Sequence, residues 1–147
     1  MEHTTTSLAK VTNAAWQVRS NGLSRVFAAS VVSSNHAGIF WHTGENDTYY
    51  GPYAQNYANW MKLLIDRVRL DMKCADLPWF ISEQHPDSPW RNQDMVNAGL
   101  NGLATSDRWV KILGVSHLPH ASRHFGTRGT LLLGEEMANA YLMHVSS

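Results

Sequence analysis

The sequence predicts an α/β protein in three layers, with helices on both faces of a short parallel sheet. Three short apolar runs rich in aromatic and β-branched residues, 38–42, 77–82 and 109–115, read as buried strands. Each is followed by a polar cluster and then by a segment of helical periodicity. That alternation is the signature of βαβ units, whose crossover helices cover both sides of a parallel sheet. The 147 residues, 44% apolar and with six Trp, are enough for one domain with a full core.

The N-terminal segment, 1–36, is poorly defined and leans helical. Leu8, Val11, Ala15 and Val18 are spaced for one helical face, which Ser20-Asn21-Gly22 would stop. Residues 23–32 fit either period, and Ser33-Ser34-Asn35-His36 reads as a turn. The domain proper spans 37–147. Its first strand, through Phe40 and Trp41, breaks at Gly44 into Glu45, Asn46 and Asp47, a polar cluster or an Asx-type turn. Pro52 then sits just inside a helix start. Tyr53, Tyr57, Trp60, Met61, Leu64, Ile65 and Val68 follow at steps of three and four, opposite Lys62, Asp66, Arg67 and Arg69. This stripe predicts a helix ending near Lys73.

The second strand, 77–82, leads into Glu83, Gln84 and His85, and Pro86-Asp87-Ser88-Pro89 makes a loop. A helix over 91–105 places Met95, Val96, Leu100 and Leu103 inward, weakened by Gly99 and Gly102. The third strand, 109–115, opens into an irregular stretch containing His117, His120 and His124. A last helix over 128–144 turns Leu132, Leu133, Met137, Ala140 and Tyr141 to the core.

Composition narrows the function. Twelve basic residues balance twelve acidic ones, so no overall field draws the chain to nucleic acid or an anionic membrane. The single Cys74 excludes an internal disulfide and a cysteine-only metal cage, and leaves the redox compartment open. There is no apolar run long enough to span a membrane and no secretory signal, so localisation stays open. His3, His36 and His144 read as surface residues, and His42 as a packed strand end.

In a parallel sheet, the residues after each strand converge at its carboxyl edge. That edge gathers Gly44, Glu45, Asn46 and Asp47, then Glu83, Gln84 and His85, then His117, His120 and His124. Amide, carboxylate and imidazole together suit general acid–base work and the holding of an oxyanion. The histidine spacing is also compatible with a metal, but no H-E-x-x-H signature is present and Pro119 interrupts any helix that would align His120 with His124. The expectation is no metal and no cofactor.

Trp41-His42-Thr43-Gly44-Glu45-Asn46-Asp47 resembles the W-h-Q-G-E-S/N-D block of the sialate O-acetylesterase-type carbohydrate esterases, within the SGNH (GDSL-like) hydrolase superfamily. Gly44 to Asp47 match the superfamily's G-x-N-D block. Ile65-Asp66-Arg67-Val68-Arg69 with Leu77-Pro78-Trp79-Phe80, and His124-Phe125-Gly126 with Gly129, Leu133-Gly134 and Ala138, resemble two later passages. The resemblance spans about residues 37–142, apparently the carboxyl-terminal part of such a domain. It implies an SGNH/flavodoxin-like fold and a metal-free serine esterase that deacetylates O-acetylated carbohydrates. It assigns His124 as base, and Gly44 and Asn46 to the oxyanion hole, with Glu45 and Asp47 beside them at the substrate.

The chain departs from the family pattern at three places. Thr43 stands where the family usually has Gln. Ala121 occupies the position of the aspartate that orients the histidine. No intact G-x-S-N nucleophile block precedes Trp41, and Ser20, in Arg19-Ser20-Asn21-Gly22, is the candidate nucleophile ahead of Ser34. Glu45, Glu83 or Asp87 would have to substitute for the acid. These departures predict weak activity at best, and the alternative reading is a non-catalytic sugar-binding or scaffold relative of the same fold. If the first strand is missing, the sheet has an open edge and the chain self-associates through it.

Overall fold

The computed structural model describes residues 38–146. The helix expected over residues 8–18, the stretch 23–32, the candidate nucleophiles Ser20 and Ser34, and His3 and His36 lie outside the described residues. Within them the elements run β1 (Ile39–Trp41), a 3-10 turn (Asp47–Tyr49), α1 (Gly51–Met72), β2 (Trp79–Ser82), α2 (Gln93–Ser106), β3 (Val110–Leu113) and α3 (Thr127–Val145). The strands are parallel in the order β1-β2-β3, with Ile39 opposite Trp79 and Trp79 opposite Val110. The expected α/β fold is the one observed.

The layers follow from the period-two alternation of the central strand, every residue of which is buried. Trp79 and Ile81 turn to one face, into a core with Tyr57, Met61, Leu64 and Ile65 of α1 and Val96 and Leu100 of α2. Phe80 turns to the other face, where its ring meets Tyr141 of α3 at 6.2 Å, edge-on. Val115, Leu118 and Leu133 form a smaller cluster beneath the same helix. Each fully buried aliphatic or aromatic side chain contributes about 1.5–3 kcal/mol relative to exposure, so the face under α1 and α2 carries most of the stability.

Three expectations are corrected. Arg69 is not on the solvent face of α1: it is buried, its Nε donates to the carbonyl of Leu77 at 3.1 Å, and its guanidinium pairs with Asp107. Met95 is exposed, because α2 buries the row Val96, Leu100 and Leu103 instead. His144 is half-buried rather than free on the surface, with its ring edge-on to Phe80 at 5.9 Å and to Trp109 at 5.5 Å.

Candidate active site

The carboxyl ends of the strands converge as the sequence predicts, and the loops after them enclose one narrow cavity. Its walls are His42 and Glu45 after β1, Gln84, His85 and Ser88 after β2, and His120, Arg123, His124 and Phe125 after β3.

The β1 loop is shaped by Gly44. Its φ of +130° is unfavourable for any residue with a side chain, and a Cβ there would lie 2.8 Å from the Tyr57 hydroxyl. The loop is tied down around it: the Tyr57 hydroxyl donates to the Thr43 carbonyl at 2.8 Å, and Gln84 Nε2 donates to the same oxygen at 3.2 Å. Burial pushes the Tyr57 hydroxyl well above the ordinary phenol value, so it stays a protonated donor. Gln84 is itself clamped: its N–H donates to Asn97 Oδ1 at 2.7 Å, and Asn97 Nδ2 donates to its carbonyl at 2.9 Å. The consequence is a rigid perch for Glu45.

The β3 loop is pinned by Gly129, where a Cβ would collide with the Pro119 carbonyl and the Phe125 ring. At its tip, Ala121 and His124 exchange backbone hydrogen bonds of 3.0 and 3.4 Å as an isolated antiparallel bridge, with Ser122 in the left-handed region at φ 65°. This turn presents His124 to Glu45, whose Oε1 lies 3.8 Å from His124 Nδ1. Of the three carboxylates considered as substitutes for the aspartate, Glu45 is the one beside His124. Glu83 accepts a hydrogen bond from Asn101 on α2, and the Asp87 carboxylate lies 4.0 Å from His85.

The other imidazoles form the back wall. His85 is buried, donates from Nε2 to the Leu118 carbonyl at 3.1 Å, and accepts the Asp87 N–H on Nδ1 at 3.1 Å. A carbonyl can only accept and an N–H can only donate, so both ring nitrogens are committed and the tautomer is fixed. His120 stacks flat on it, ring centroids 4.3 Å apart at 5°, and Phe125 stands edge-on to both. His42 is open to solvent on one side and hydrogen-bonded through Nδ1 to Ser82 on the other. Desolvation holds its pKa below the ordinary value although Glu45 pulls it up, and His124 adds to the lowering.

The structure therefore brings Glu45 and His124 together. Gly44 lies buried behind the cavity against Tyr57, while Asn46 and Asp47 begin the 3-10 turn beside it, Asp47 buried. His117 turns away to Glu136 on α3. Among the described residues no three His, Cys, Asp or Glu side chains converge as a metal-binding group. Sequence reasoning overlooked three wall residues: His42, read as packing, Ser88, read as loop, and Arg123. Their signal was position alone, since each follows a strand at the carboxyl edge.

Residues 6–143 match the family of carbohydrate esterases described as sialic acid-specific acetylesterases. The chain belongs to that family. The match takes in the N-terminal stretch containing Ser20 and Ser34 as well as the sheet. A protein from Arabidopsis thaliana, solved by X-ray crystallography, superposes with a TM-score of 0.77 at 24% identity, over 94% of this chain and 57% of that one. This likeness is one of fold, and the chain spans little more than half of that relative. No curated protein matches the chain.

Proposed function

We propose that this carbohydrate esterase-family chain hydrolyses acetyl esters of sugars, with His124 as general base and Glu45 in place of the aspartate lost at Ala121. One observation carries the reading: the Glu45 carboxylate lies 3.8 Å from His124 Nδ1 at the wall of a cavity. A carboxylate on Nδ1 fixes the tautomer that leaves Nε2 free to accept a proton, and stabilises the imidazolium that results. A serine hydroxyl then adds to the acetyl carbonyl and gives its proton to Nε2, which passes it to the departing sugar alkoxide. Water releases the acetate by the same steps in reverse. The SGNH resemblance assigns the remaining parts: Ser20 as nucleophile, and Gly44 and Asn46 for the oxyanion. No metal or other cofactor is needed for these steps. O-acetylated carbohydrate is the partner this reading names.

The test is hydrolysis of p-nitrophenyl acetate by the chain and by His124→Ala and Glu45→Gln. His124→Ala is expected to fall to the background rate. Glu45→Gln is expected to retain a rate reduced by up to ~10⁴-fold, by the precedent of a serine-protease triad acid. Equal, background-level rates in all three would leave a non-catalytic sugar-binding relative and remove the catalytic reading.

A further inference from the structure

The cavity wall carries a serine–histidine pair that the family motifs do not include. Ser88 Oγ lies 3.2 Å from His120 Nε2, in the loop that follows β2. Ser88 is 9% exposed and lines the cavity together with His124 and Arg123. His120 is held in place by the flat stack on His85, whose own ring nitrogens are both committed. Its second nitrogen, Nδ1, is buried and has no hydrogen-bond partner among the described residues. A ring that accepts the Ser88 proton at Nε2 must carry its own proton on Nδ1, so the pair is a dyad without an orienting acid.

We infer that Ser88 is a nucleophile in its own right, with His120 as its base, and that acyl groups entering the cavity are transferred to Ser88 Oγ. The inference rests on the reading of this cavity as an ester-binding site. Ser88 Oγ bonds to the acyl carbon while its proton moves to His120 Nε2. The carbon–oxygen bond to the leaving alcohol then breaks, and that alkoxide takes the proton. Water next adds to the acyl carbon, loses its proton to Nε2, and releases the acid as the proton returns to Ser88. Without an acid on Nδ1 both halves are slow, so the adduct is best trapped with a reagent that does not turn over.

The groups facing His120 favour a neutral, proton-accepting ring. Burial lowers its pKa first, and His85 lowers it further; Asp87 pulls it up, while His124 and His42 add to the lowering. Arg123 from its own loop and Glu45 from the β1 loop line the same cavity. Acylation should therefore rise with pH through a value below that of a free imidazole and be flat by neutrality.

The experiment treats the full chain with a fluorophosphonate and with p-nitrophenyl acetate, maps the adduct by peptide mass spectrometry, and follows hydrolysis in parallel. The expected result is an adduct on Ser88, absent in Ser88→Ala and formed ~10²-fold more slowly, or less, in His120→Ala. Ser88→Cys keeps the volume and guards against a folding artefact: its thiol should be alkylated by iodoacetamide faster than Cys74, whose pKa is raised by burial and by Asp76. An adduct on Ser20 or Ser34 with none on Ser88, and hydrolysis intact, overturns this inference and leaves the proposed function standing. A Ser88 adduct that forms equally fast in His120→Ala overturns the pairing. No adduct and no hydrolysis removes both readings.

Discussion

Ala121 is the residue at which this chain departs furthest from a working triad, and the turn around it says what a carboxylate there would do. Ala121 and His124 exchange two backbone hydrogen bonds across an antiparallel bridge. Residues paired in that way lie opposite each other, with Cα atoms about 5.5 Å apart and side chains on the same face. A carboxylate at position 121 would thus stand beside the His124 ring. Ala121 is exposed, so the longer side chain meets no packed core. Ala121→Asp is expected to raise the rate of p-nitrophenyl acetate hydrolysis by ~10-fold or more, part of what a triad acid contributes. The same substitution should make Glu45→Gln nearly silent, because one imidazole nitrogen needs one acid, and effects on a shared partner do not add. An unchanged rate in Ala121→Asp would show that His124 is not the limiting base.

At the scale of elements, the strands and helices were legible because each has a strong period, and the cavity was legible only as an edge. Steps of three and four along α1 and the fully buried β2 located them to within a few residues. Arg69 shows what charge hides: Met61, Ile65 and Arg69 lie four apart on one row, so periodicity already pointed it inward, and its charge alone argued for solvent. Glu45 and His124 sit in loops distant in sequence, and spacing carries no information on whether two such loops touch. Gly44 was visible as a strand breaker, but not the reason for it, which is the approach of Tyr57 and Gln84. That reason makes a prediction about the loop. Gly44→Ala forces a Cβ to within 2.8 Å of the Tyr57 hydroxyl, at a φ of +130° that alanine avoids. It should cost about 1–3 kcal/mol of stability, seen as a lower thermal midpoint by calorimetry. Hydrolysis should fall with it even at temperatures where the variant is fully folded, since Glu45 moves with the loop. A variant of unchanged midpoint would mean that the loop is soft and that Tyr57 does not brace it.

For the whole molecule, one ion pair joins what the core leaves separate. Arg69, near the end of α1, donates from Nε to the Leu77 carbonyl before β2 and from Nη2 to Asp107 Oδ1 at 3.4 Å. Asp107 closes α2 and accepts the Trp109 N–H at 3.0 Å as the chain enters β3. The two side chains are 9% and 19% exposed, so solvent screens them little. Burial on its own would raise the Asp107 pKa, but the Arg69 hydrogen bond, the Trp109 N–H and the Arg69 charge outweigh it, and the net direction is down. A carboxyl depressed in the folded state stabilises the protein above its unfolded value of about 3.9, and that stabilisation is lost as pH falls through the folded value. Asp107→Asn should therefore be less stable than the parent by about 1–3 kcal/mol at neutral pH, measured by urea unfolding. The gap should hold down to roughly pH 5 and then close as the parent's own carboxyl takes up a proton. A gap independent of pH would mean that Asp107 acts through its shape and its backbone contacts rather than its charge. In that case the arginine on the buried row of α1 would be held by the Leu77 carbonyl alone.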